Sequence, residues 1–107
     1  MRTSFQESID NLLTAEDELH YIDPMSLESK EIVARNAALS DIADCINALV
    51  QKRLAALTDE GKRNLEQLRL ATVALKDDLA RVQNVSATLS VISSALNTIK
   101  SFLPLLT

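Results

Sequence analysis

Pro24, Gly61 and Pro104 are the only glycine and proline residues among 107, and a chain with so few turn-forming residues must cover most of its length with long helices. A sheet would need frequent turns and strands rich in β-branched or aromatic residues. Here there are three aromatic residues, and the 47% hydrophobic fraction is rich in Ala and Leu. The expected fold is all-α. At this length the chain forms one domain with one core, burying roughly two thirds of the surface exposed by the unfolded chain.

The sparse breakers divide the chain into three expected helices, at about 5–20, 26–57 and 59–103. In the first, Ser4 and Glu7 have the spacing of a capping box, followed by Phe5, Ile9, Leu12, Leu13, Ala15 and Leu19 at helical intervals. Pro24 holds Asp23 extended, and Asp23 or Ser26 can cap the second helix. The seam of that helix is Ile32, Arg35, Leu39, Ile42, Ile46, Leu49, Arg53 and Ala56, in alternating steps of three and four. Thr58-Asp59-Glu60-Gly61 is the one interior turn signal, with Thr58 as N-cap and two acids at the positive end of the next helix.

The third helix keeps the same rhythm through Leu65, Leu68, Thr72, Leu75, Leu79 and Val82, then Val85, Leu89, Ile92, Leu96, Ile99 and Leu103. The step from Leu79 through Val82 to Val85 is three plus three, a stammer that overwinds or shifts a seam locally. If the second and third helices form an antiparallel hairpin about residue 59, the third overhangs by about twelve residues, or about 18 Å. The overhanging stripe must be covered by the first helix or by another chain. Because apolar residues also lie off the main seams, the expected assembly is a homo-oligomer, a dimer first, in which two hairpins complete a four-helix core.

Val82 to Ile99 contains no charged residue. Only nine of these eighteen residues are apolar, which is too few for a bilayer span. Ser86, Ser90, Ser94 and Thr98 recur every four residues beside Ala87, Val91 and Ala95, giving two columns of small side chains suited to close helix approach. The candidate interaction residues are therefore Ser90, Val91, Ile92, Ser94, Ala95, Leu96, Ile99 and Leu103. On this reading Ser90→Leu or Ser94→Leu disturbs the structure more than Ser8→Leu does.

Charge and chemistry narrow the function classes. A net charge of −4 argues against general nucleic-acid binding. The acids concentrate early: residues 1–31 hold eight acids and two bases. Lys52, Arg53, Lys62, Arg63 and Arg69 gather around the turn near residue 59, so a dipolar molecule is expected, able to orient head-to-tail contacts or to meet an acidic partner. Arg35 and Arg53, at seam positions, either pair with a carboxylate such as Glu66, Asp77 or Asp78 or extend to the rim.

Asp17 and His20 are spaced like half of a carboxylate-histidine metal motif, beside Glu16 and Glu18, but a site would need a second histidine. No metal or other cofactor is expected. Cys45, the only cysteine, falls among Ala43, Ile46 and Leu49 and is read as a buried packing residue in a reducing, cytoplasmic setting. One glycine cannot build a phosphate loop, and no catalytic residues are assigned.

The chain is thus expected to be a non-enzymatic assembly or interaction protein, such as an adaptor, chaperone or regulatory subunit, working through helical surfaces. The alternative is a membrane-active or secreted helical-hairpin protein that uses residues 82–103. In size and hairpin pattern the chain is similar to short helical-hairpin proteins among bacterial secretion-system substrates and filament subunits, whose Trp-x-Gly turn it lacks. The first five residues have no apolar signal core, and secretion without a cleaved signal is compatible with the sequence.

Overall fold

The computed structural model describes residues 3–82 and 84–106. Its long elements are α1 (Ser4–His20), α2 (Ser29–Gln51), α3 (Asp59–Arg81) and α4 (Val85–Phe102), with short 3-10 turns at Pro24–Ser26, Arg53–Leu57 and Leu103–Leu105. The fold is all-helical as expected, but it has four helices where the sequence reading has three.

The expected helix 59–103 divides at the stammer. Val82 is extended, ending α3, and the Asn84 side chain accepts a hydrogen bond from the Ala87 amide at 2.8 Å, which caps α4. Asn competes well for a cap and poorly for a helix interior. The chain therefore uses the irregular step to turn back, and the expected 18 Å overhang does not form.

Caps at the other ends differ in detail from the sequence reading. The α1 box is formed by Thr3 and Gln6, one residue before the expected pair. Asp23 caps only the 3-10 turn, through the Met25 amide at 2.9 Å, while Glu28 and Glu31 form the box that opens α2. As expected, Thr58 caps the next helix, accepting from the Gly61 amide at 3.0 Å. The expected 26–57 helix shortens to α2, its last residues becoming the 3-10 link to α3.

Helix pairing also differs. α1 packs on α2 and α3, and α4 packs on the same two helices. The hairpins are consequently α1–α2 and α3–α4, and the link 53–57 crosses the bundle between helices expected to be partners. Three successive polar contacts (Ser4 to Glu66, Glu7 to Arg69 and Asn11 to Thr72) show that α1 and α3 run in the same direction. The two hairpins stack in parallel, and the molecule measures 46 × 22 × 19 Å.

One core threads all four helices. Leu12, Ala15 and Leu19 meet Ile42, Cys45 and Leu49, Leu65, Leu68 and Leu75, and Ile92, Leu96 and Ile99. Each set recurs at three- or four-residue intervals, the buried Thr72 filling the step between Leu68 and Leu75, so each helix buries one stripe. The four-helix core assigned on sequence to two copies is thus supplied by a single chain.

Candidate interaction surface

The eight candidate interaction residues separate by helix face. Ile92, Leu96 and Ile99 are buried in the chain's own core, at 0%, 2% and 0% exposure, and Leu103 is half-buried beside them. The apolar stripe is therefore covered from within. Ser90 and Ser94 are exposed, whereas Val91 and Ala95 are half-buried on the shoulder facing α3.

These four side chains, with Thr98, form one wall of a groove of about 400 Å³, and Ala71, Ala74, Leu75 and Asp78 of α3 form the other. The groove follows from residue size. Where α3 presents Ala71 and Ala74 to Ser90, Ser94 and Ala95 of α4, the backbones are bordered by little side-chain volume and a furrow is left along the outside. Asp78 is the sole charged residue among those lining it. A second, smaller hollow of about 200 Å³ lies between the first turns of α1 and α3, against Thr3, Ser4, Phe5, Lys62 and Leu65.

The other helix contacts are tied by polar groups. Between α1 and α3, Ser4 Oγ donates to Glu66 Oε2 at 2.7 Å, and Arg69 Nε donates to both Glu66 oxygens at 3.0 and 2.9 Å. Arg69 also lies 3.5 Å from Glu7. These hydrogen bonds, first from Arg69 and then from Ser4, hold the Glu66 carboxyl down at about 2. In turn Glu66, and after it Glu7, raise the Arg69 guanidinium further above its ordinary value. Deeper in the contact, Asn11 Nδ2 donates to Thr72 Oγ1 at 3.2 Å, and Thr72 Oγ1 donates to the Arg69 carbonyl at 2.8 Å. Ser8 Oγ donates to the Ser4 carbonyl at 2.8 Å. The buried polar side chains Ser8, Asn11 and Thr72 are thereby all satisfied.

Charges flagged in the sequence find structural partners. Arg35 Nε donates to the Leu19 carbonyl at 3.0 Å, placing a cation at the negative end of α1 rather than beside Glu66, Asp77 or Asp78. Arg69 leaves the basic tip for the α1–α3 network, and Lys100 reaches Asp41 at 3.0 Å across α2 and α4. Arg53 is exposed on the link. Cys45 is buried, as expected, and burial pushes its thiol up.

Asp17, Glu18 and His20 are exposed and Glu16 is half-buried. Among the described residues no three His, Cys, Asp or Glu side chains gather as a metal group would require, and no helix is long and apolar enough to cross a membrane. Sequence reasoning missed Asn11 and Ser8 as interior groups, although Asn11 stands one residue before the core position Leu12. It also missed the α3 wall of the groove, for which Ala71 and Ala74 beside the Thr72 seam are the available signal. Set against protein-family models, curated proteins and solved structures, the chain has no match to any of them.

Proposed function

We propose that this chain is a non-enzymatic interaction protein, of the adaptor, chaperone or regulatory-subunit kind, which offers the α3–α4 groove to a helix of a second copy. The observation carrying this reading is the groove itself, a furrow of small side chains along a helix with no charge between Arg81 and Lys100. Small side chains on both walls let a partner backbone approach closely, and the uncharged α4 wall penalises a charged partner face through desolvation. A second copy of α4 presents the matching surface, so two molecules can pair face to face about a two-fold axis.

The remaining polar chemistry supports a structural rather than catalytic role. Ser8, Asn11 and Thr72 are committed to hydrogen bonds within the bundle, and the burial of Cys45 disfavours its reactive thiolate. A buried free thiol also suits a reducing compartment.

Light scattering coupled to size-exclusion chromatography tests the proposal. In about 1 M salt, where surface charge is screened, the wild-type protein is expected to run as a dimer, Ala95→Glu as a helical monomer, and Asn47→Glu, on the exposed face of α2, as wild type. A carboxylate closed off in the groove costs several kcal/mol, which dissociation relieves. A wild-type mass retained by Ala95→Glu at every concentration would exclude the groove as the dimer contact.

A further inference from the structure

The uncovered apolar surface of the bundle lies mostly at its two ends. Among the described residues, nine large hydrophobic side chains are exposed. Three of them, Tyr21, Met25 and Val33, lie where α1 finishes and α2 begins. Four more, Val50, Leu54, Leu57 and Leu105, lie at the opposite end, around the link from α2 to α3. Met25 is 91% and Leu57 77% exposed. The flanks keep only Leu13 and Leu70.

The two ends also carry opposite charge. Residues 16–31, at the first end, hold six acids and the single base Lys30, and α3 finishes at the same end with Asp77 and Asp78 against Lys76 and Arg81. Residues 50–63, which form the second, hold Lys52, Arg53, Lys62 and Arg63 against Asp59 and Glu60. Apolar residues set among acids at one end and among bases at the other make complementary surfaces on the same molecule.

We propose that the ends dock on each other between copies, the acidic end of one molecule seating on the basic end of the next. The contact is heterologous: each molecule offers one half and keeps the other half free. Such contacts propagate as a linear series unless the rotation between neighbours closes a ring. Met25 and Tyr21 suit such a surface, the first by its adaptable thioether chain and the second by combining an apolar ring with a polar tip. An anionic lipid surface would match the basic end and its leucines but leave the equally exposed acidic end unexplained. A second copy accounts for both. This contact is separate from the α3–α4 groove and does not depend on it.

Sedimentation velocity with two charge variants, Met25→Lys at the acidic end and Leu57→Glu at the basic end, tests the proposal. Both positions are exposed, so the variants should fold, which far-UV circular dichroism checks. Wild-type mass should rise with concentration at about 0.01 M salt and fall back at about 1 M, as the Debye length shrinks from about 30 Å to about 3 Å. Each variant alone should lose that rise, because one of its ends faces a like-charged partner.

An equimolar mixture of the variants should recover association, since each contributes one intact end of opposite type. A mixture no heavier than its components overturns the proposal, as does a wild-type protein whose association ignores salt. Binding of wild-type protein to phosphatidylserine vesicles that is lost in Leu57→Glu, with no end-dependent association, would assign the basic end to lipid instead. Ala95→Glu should retain the salt-dependent rise, so that the groove and the ends fail independently.

Discussion

At the scale of single residues, Ser8 and Ser90 have the same side chain in opposite surroundings. Ser8 is fully buried at the α1–α3 contact, whereas Ser90 is exposed at the edge of the groove. The order of sensitivity expected from the serine column is therefore reversed within one chain. Ser8→Leu should cost about 1–3 kcal/mol by overpacking, and Ser90→Leu should stay within about 0.5 kcal/mol. Thermal melts in dilute solution will show the difference, at about 4–8 °C per kcal/mol for a domain near this size. Equal midpoints for the two variants would contradict the placement of Ser8. Its burial was hidden in the sequence because a serine that returns its hydroxyl to the carbonyl four residues earlier no longer needs water. Cys45 and Thr72 were readable, since both fall in step with apolar neighbours on their helices.

Among the elements, the stripes were legible and the partners were not. Periods of three and four mark Leu12, Leu19, Ile42, Leu49, Leu68, Leu75, Ile92 and Ile99 as inward positions whichever helix lies opposite. Nothing in a stripe says which neighbour it meets, so the expected hairpin joins α2 and α3, whereas a 3-10 link separates them across the bundle. The break between α3 and α4 was visible only as a stammer beside Asn84. The α1–α3 pairing rests in part on Glu66, and its dependence on pH follows from the lowered carboxyl. A group with a folded value of about 2 and an ordinary value of about 4.3 stabilises the fold fully above about pH 5, and that contribution disappears as pH falls through about 2. Glu66→Gln should accordingly lower the melting midpoint by a few degrees at pH 7. The gap to wild type should narrow steadily as pH is lowered from about 5 towards 2. A gap constant over that range would mean that Arg69 and Ser4 do not hold the ionised carboxylate.

For the whole molecule, a single core shared by four helices makes α1 indispensable, although the sequence presents it as a detachable cover for an overhang. Deleting residues 1–22 would remove Leu12, Ala15 and Leu19 from the core, separate Thr72 from Asn11, and deprive Arg35 of the Leu19 carbonyl. Each fully buried leucine contributes about 1.5–3 kcal/mol, and a domain of this kind has about 5–15 kcal/mol of net stability in total. Two leucines and an alanine, with the lost Asn11–Thr72 and Arg35–Leu19 hydrogen bonds, are together comparable with that margin. The truncated chain should therefore lose its cooperative melt while keeping helical signal, as a compact state without fixed packing does. Cys45 provides an independent readout, because it lies on α2 outside the deletion and is protected only while the core is closed. In the full chain a disulfide reagent should modify it at the slow rate of global opening; in the truncated chain it should react as a free thiol does. A truncated protein with a sharp transition and a protected thiol would show that α2, α3 and α4 close a core by themselves, leaving α1 free to leave the bundle.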